Sequence, residues 1–201
     1  MLGSLGRVIG LYNGVICLVL NVSMRLLKTA FHPEISPADI SPDSQFTLIE
    51  RHAARAIVLR GDQILLLYTE RYHDYSLPGG GIDDGEDEIQ GLIRELQEET
   101  GAQNIRNVQP YARYDEYRPW YKSDADIIHM ISHCYTCEID EELGDTAFES
   151  HEVSNGMKPV WVNIHEAISH NQEVIANSPK KGLSIDRETF MLKMIAKELC
   201  K

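Results

Sequence analysis

Three glutamates in a short stretch carry the densest chemistry in this 201-residue chain. Glu95 and Glu99 stand four residues apart, and Glu98 lies three from Glu95, so an α-helix would crowd all three onto one exposed face. Like charges at that spacing repel on a bare helix. A hard divalent cation held by oxygen ligands is their natural neutraliser. Arg94 is adjacent and can pair with a carboxylate to hold its orientation. Before the helix stands Pro78-Gly79-Gly80-Gly81, a loop whose backbone can turn tightly and approach a phosphate or offer a carbonyl to a metal. On spacing alone, a solvated acidic helix face behind a glycine turn explains the same residues.

The wider pattern is more specific. Gly80, five residues, Glu86, seven residues, and then Arg94-Glu95-Leu96-Gln97-Glu98-Glu99-Thr100-Gly101-Ala102 resembles the Nudix box at each fixed position. The one soft departure is Ala102, where the pattern prefers a larger aliphatic residue. The box covers 23 residues, and the strand order extends the resemblance over about Ala53 to His170. The resemblance implies an α/β Nudix fold, an α/β/α sandwich with a mixed β-sheet. It implies that Glu95, Glu98 and Glu99 bind Mg²⁺, with Mn²⁺ as an alternative. Gly80 would shape the metal site, and Glu86 and Arg94 would orient its ligands. The implied reaction is attack of a metal-activated water on a diphosphate linkage in a small nucleotide-like substrate, a nucleoside diphosphate derivative. No phosphoenzyme is required. Members of the family often recruit a further carboxylate from the loop before a late Trp-containing strand. Here that strand is Val160-Trp161-Val162, and Glu152 is preferred to Glu149 as base or extra ligand. A domain that senses a nucleotide without cutting it is the rival reading. The intact carboxylate trio with Arg94 speaks against it, because a sensor can lose any of them.

The elements that must position these residues are legible as periodicity. Ala56 to Leu59 and Ile64 to Tyr68 read as strands around a Gly61-Asp62 turn. A helix runs from about Glu86 to Thr100, with core-facing Ile89, Leu92, Ile93 and Leu96 and with Gly101 as its C-cap. Val108 to Tyr117, Ile127 to Ile139 and Val160 to Ile164 read as strands. His165 to His170 starts a helix, and Arg187 to Leu199 is the last one, with Asp186 as its N-cap. Helices and strands interleave without regular βαβ units, which predicts a mixed sheet between helices.

Composition sets outer limits. The chain is 43% hydrophobic and 25% charged, as for an ordinary globular domain. A formal net charge of -12 argues against a long nucleic-acid partner, which needs clustered Lys and Arg, but not against a phosphorylated small molecule. Cys17, Cys134, Cys137 and Cys200 form no disulfide framework, which points to a reducing, cytoplasmic setting. The single C-x-x-C of Cys134 and Cys137 reads as two buried strand cysteines.

Val8 to Met24 is largely apolar and is at the lower limit for a membrane span. A membrane anchor through residues 1–24, a helix packed on the domain, and an extension ahead of a start at Met24 compete, with a soluble protein preferred. With the proline-bearing stretch His32 to Ser44, this divides the chain into an N-terminal segment and linker (1–45) and a Nudix domain (46–201). A homodimer is left open. For substrate recognition the sequence offers Arg71, Tyr72, His73 and Tyr75 before the glycine loop, and Tyr114, Tyr117, Arg118 and Trp120 further on. Rings could stack on a base and arginines could meet phosphate. Each is also ordinary core or surface material. His129 and His133 read as structural residues on one sheet face.

Overall fold

The computed structural model describes residues 7–12, 15–20 and 24–200, with side chains for 24–200. Arg7–Tyr12 (β1) and Val15–Leu20 (β2) form an antiparallel pair. The apolar segment with its three competing readings falls largely here, and residues 1–6, 13–14, 21–23 and 201 lie outside the described residues. Among the described residues no helix is long and apolar enough to cross a membrane.

Two further sheets build the domain. Leu26–Phe31 (β3), Leu48–Ile57 (β4), Arg106–Pro119 (β8) and Ile127–Glu138 (β9) form a four-stranded sheet in the order β3-β8-β9-β4. It is mixed: β3 runs parallel to β8, β8 antiparallel to β9, and β9 parallel to β4. Leu59–Arg60 (β5), Gln63–Thr69 (β6), Asp74–Ser76 (β7) and Met157–Asn163 (β10) form the second, with β6 paired to all three others.

Helices cover both sides. Glu88–Thr100 (α1) packs Leu92 and Leu96 against Ala54, Ala56, Leu65 and Tyr135 in one core. Ile164–Asn177 (α3) and Ile185–Glu198 (α4) pack Ile168, Leu192 and Ile195 against Ile57, Leu66 and Cys134 in the other. The α/β/α sandwich with mixed strands follows from these two cores. Cys134 and Cys137 are both buried, and burial pushes each thiol up to about 12, the range of an inert core cysteine.

Several boundaries move from the sequence reading. α1 begins at Glu88, because the Asp87 side chain accepts from the Ile89 and Gln90 N–H groups and caps it there. Gly101 is the C-cap with φ 70°. α4 starts one residue ahead of Asp186, with Ser184 at the cap position. A short helix, Ser150–Asn155 (α2), closes the loop before β10. The largest departure is β3. Residues 26–31 lie within the segment assigned to the N-terminal extension and linker, yet they hydrogen-bond as a strand along β8. A six-residue strand between polar flanks has too little periodicity to stand out from an apolar leader.

Candidate active site

β4 and the glycine loop build the floor of the site. Ala54 N–H donates to the Gly80 carbonyl (3.0 Å) and Ala56 N–H to the Pro78 carbonyl (2.8 Å), so the loop lies along the strand edge. Gly79 has φ 126°, and a Cβ there would meet the Ala54 carbonyl oxygen at 2.1 Å; only glycine fits. A Cβ on Gly80 would come within 2.5 Å of the Glu95 carboxylate. The loop is therefore pressed against the carboxylates of α1, and Gly79 N–H donates to Glu99 Oε2 at 2.5 Å.

The three box glutamates differ sharply in exposure. At about 100° per residue, Glu99 stands only about 20° from Leu92 around the helix, Glu95 about 60° and Glu98 about 120°. Burial follows that order: Glu99 is 4% exposed, the Glu95 side chain 16% and the Glu98 side chain 43%. The expectation of three carboxylates on one exposed face is corrected accordingly. Glu99 belongs to the apolar stripe, while Ile93, counted with the core face, is only half-buried. Burial pushes the Glu99 carboxyl up to about 8, against the opposing pull of Arg55 and the Gly79 N–H. Burial also raises Glu95 despite its bond to Arg94.

Arg94 is the hub of the exposed side. It donates from Nε to Glu86 Oε1 (2.9 Å) and from Nη2 to Glu86 Oε2 (3.0 Å), a two-pronged grip. Its Nη1 donates to Glu95 Oε1 at 2.7 Å and reaches Glu98 Oε2 at 3.4 Å, and Nη2 reaches the Gly81 carbonyl at 3.2 Å. Hydrogen bonds from Arg94 and the Asp83 N–H hold Glu86 down to about 2.

Glu95 and Glu99 line a cleft of about 700 Å³, and so does Glu152. Glu152 lies in α2, is 9% exposed, and accepts from the Glu149 N–H at 2.7 Å. Its charge is close enough to raise Glu99 further. Glu149 is largely exposed and engages His151. Glu98 does not line the cleft and sits on the shoulder of α1 beside Arg94.

The same cleft is lined by Arg51, Arg55 and Arg118, none of which pairs with a carboxylate within 4.0 Å among the described residues. Arg55 Nε is buried without a hydrogen-bond partner. Burial lowers the pKa of Arg118, and Arg187 and Arg55 add to the effect. Of the recognition residues offered by the sequence, Tyr72 and Arg118 reach the cleft. His73 and Tyr75 instead pack with Tyr68 and His170 beside α3. Tyr114 is core, Tyr117 stacks between Phe31 and His129, and Trp120 donates to Asp124. Arg71 bonds Asn155. Arg51 and Arg55 were missed in the sequence, although an arginine inside Ala53-Ala54-Arg55-Ala56 is a signal: a charge in a run of small buried residues needs a reason.

Comparison with known proteins identifies the family and the fold. The NUDIX domain family model matches residues 50–182. The chain belongs to the Nudix family. Hydrolysis of pyrophosphate bonds with the help of divalent metals is the chemistry general to that family. Among solved structures, a NUDIX hydrolase from Nitrosomonas europaea is 16% identical with a TM-score of 0.51, covering 74% of this chain and 91% of that one. This supports the shared fold. A putative nudix hydrolase family member from Chromobacterium violaceum is 21% identical with a TM-score of 0.46, over 74% and 78%. An RNA pyrophosphohydrolase of Bartonella quintana is 41% identical over 56 residues, 28% of this chain. The match spans only 29% of that relative's length.

Proposed function

We propose that this Nudix domain is a Mg²⁺-dependent pyrophosphohydrolase acting on a nucleoside diphosphate derivative or a close polyphosphate analogue, with Mn²⁺ as an alternative metal. The observation that carries the reading is a single cleft lined by charges of both signs: Glu95, Glu99 and Glu152, together with Arg51, Arg55 and Arg118, which pair with no carboxylate within 4.0 Å among the described residues. An anion beside the arginines, with a cation among the carboxylates, would satisfy both sets.

The donor set fits a hard dication. It is all oxygen, and the Glu99 carboxyl is driven toward its neutral form by burial and by neighbouring Glu95 and Glu152 when no cation offsets them. Glu95 and Glu99, with Glu98 at the rim, would hold the metal. Bound there, the cation supplies charge neutralisation at the phosphates and a water of lowered pKa. The chain does the rest. Arg94 holds Glu95 in place and is itself held by Glu86. Gly79 and Gly80 let the loop pack directly against Ala54 and the Glu95 carboxylate, which fixes where that carboxylate stands. Glu152, fixed by the Glu149 N–H, is the proposed base that takes the proton of the attacking water. Arg55 and Arg118 orient the phosphates for attack, and Tyr72 offers an aromatic face at the mouth.

The test is phosphate or nucleotide release by the full chain, with Mg²⁺ and with excess chelator. The panel is ADP-ribose, a nucleotide sugar, a dinucleoside polyphosphate, nucleoside triphosphates and a 5′-triphosphorylated oligoribonucleotide. Turnover that vanishes with chelator and returns with Mg²⁺ is expected. Tight binding across the panel without turnover would establish the sensing domain instead. Preference for the oligoribonucleotide would overturn the small-substrate assignment, which rests partly on the net charge of -12.

A further inference from the structure

A second group of ligand-type side chains lies outside the cleft, where the start of α1 meets β4 and β9. His52, His133 and Glu88 each bring one ligand atom to a common point, all within 4.8 Å of one another. The register explains the meeting. His52 pairs with Ile131 across β4 and β9, and His133 is two residues further on the same face, a diagonal neighbour. Their ring centroids are 5.6 Å apart. Glu88, in the first turn of α1, reaches over both, with Oε1 2.7 Å from His133 Nδ1. That nitrogen is buried and has no well-aligned hydrogen-bond partner.

We propose that His52, His133 and Glu88 form a second cation site, selective for a borderline transition metal such as Zn²⁺ and separate from the oxygen-only box site. Two imidazoles and a carboxylate are an established tetrahedral Zn²⁺ donor set with a fourth position open. Imidazole favours Zn²⁺ and its neighbours over Mg²⁺, so the two sites differ in kind. The supports that steady metal ligands are present. The Tyr135 hydroxyl donates to Glu88 Oε2, and Glu50 Oε1 lies 3.0 Å from His52 Nε2. None of the three ligands lines the substrate cleft. His52 is open to solvent and borders an acidic groove with Asp83, Asp84 and Glu86, which gives a cation an entry path. Zn–ligand bonds of about 2.0–2.1 Å require a modest closing of the trio, which exposed His52 and the flexible Glu88 side chain can supply. The bound ion would tie the first turn of the box helix to the sheet.

The experiment uses the full chain in excess Mg²⁺, so that the box carboxylates are already occupied. Equilibrium dialysis against Zn²⁺ should give about one ion per chain, and Co²⁺ should give the visible absorption of a tetrahedral complex. His52→Ala, at an exposed position, should weaken Zn²⁺ binding at least roughly tenfold, and His133→Asn should do the same. Neither should alter Mg²⁺-dependent turnover. Glu98→Gln should leave Zn²⁺ binding intact, so this site can stand even if the pyrophosphohydrolase reading falls. Absence of Zn²⁺ uptake in excess Mg²⁺ overturns the proposal. So does uptake that survives His52→Ala and disappears in Glu98→Gln, which would put the ion on the box.

Discussion

Two clusters of buried charge line the same cleft, and they are built on opposite principles. At the α4 side, Arg187 donates to Glu188 Oε1 at 2.8 Å and to Glu116 Oε2 at 3.1 Å, and Glu188 Oε2 accepts from the Leu77 N–H. There the guanidinium is held by two carboxylates of the chain itself. At the α1 side, Glu95, Glu99 and Glu152 face one another with Arg94 engaged mainly on Glu86 and Glu95. Glu99 is left without an ion pair, and Arg55 and Arg118 pair with no carboxylate within 4.0 Å among the described residues. A closed cluster fixes structure; an open one of both signs waits for ligands that complete it.

The contrast predicts that substitutions on the two sides fail differently. The largest effect is expected for Glu99→Gln and Glu98→Gln, which remove a negative oxygen ligand while keeping shape. Each should lower kcat on the order of a thousandfold or more. Melting temperature without metal should stay level or rise, and the stabilisation by added Mg²⁺ should shrink. Near-normal rates in both variants would reduce the helix to an acidic surface. Glu152→Gln should cost roughly two to four powers of ten in kcat with the fold intact. An unchanged rate would move the base elsewhere in the cleft.

On the closed side the readout is stability. Arg187→Ala strands Glu188 and Glu116 in a buried setting, and denaturant unfolding should show a loss of about 3–5 kcal/mol. If the loss is below about 1 kcal/mol, the two clusters are not different in kind. A smaller effect is expected from the N-terminus. Residues 26–31 cover the edge of β8, so a chain starting at Met24 should melt like the full chain, whereas one starting at Phe46 should melt several degrees lower. Equal melting points would show that β3 contributes nothing.

The last effect, seen only in the pH dependence of stability, concerns Asp74, beside Glu188. Burial pushes its carboxyl up to about 6, with Glu188 adding to the shift. A folded-state value above the unfolded one means that stability is greatest below about pH 4 in this group's contribution and falls as pH rises to about 6. Asp74→Asn should remove that slope and stabilise the protein above pH 6 by up to about 3 kcal/mol. Parallel pH–stability curves for the two proteins would contradict it.

How much of this was legible beforehand depends on the distance over which each feature is decided. The box, α1 with its Gly101 cap, the paired strands around Gly61-Asp62, the long strand β9 and the burial of Cys134 and Cys137 are local patterns, and periodicity carries them. Glu152 was preferred from its loop alone; both it and Glu149 line the cleft, Glu152 buried and Glu149 largely exposed, and the choice between them as base rests on the kinetic test. The recognition residues fared unevenly, because six of the eight candidates pack elsewhere. No local signal separates an aromatic that lines a cleft from one that fills a core.

The sequence by itself determined the family, the identity of the box carboxylates and the angular order in which α1 must present them, since helix geometry turns spacing into direction. Which of those directions faces protein was a tertiary decision: α1 settles on the alanines of β4, and that buries Glu99 and leaves Glu98 outside. The meeting of Glu99 with Glu152, of Arg55 with Arg118, and of His52 with Glu88 and His133 also belongs to the tertiary structure alone. These partners lie 36 to 81 residues apart in sequence, and only sheet register and helix docking bring side chains together over such separations.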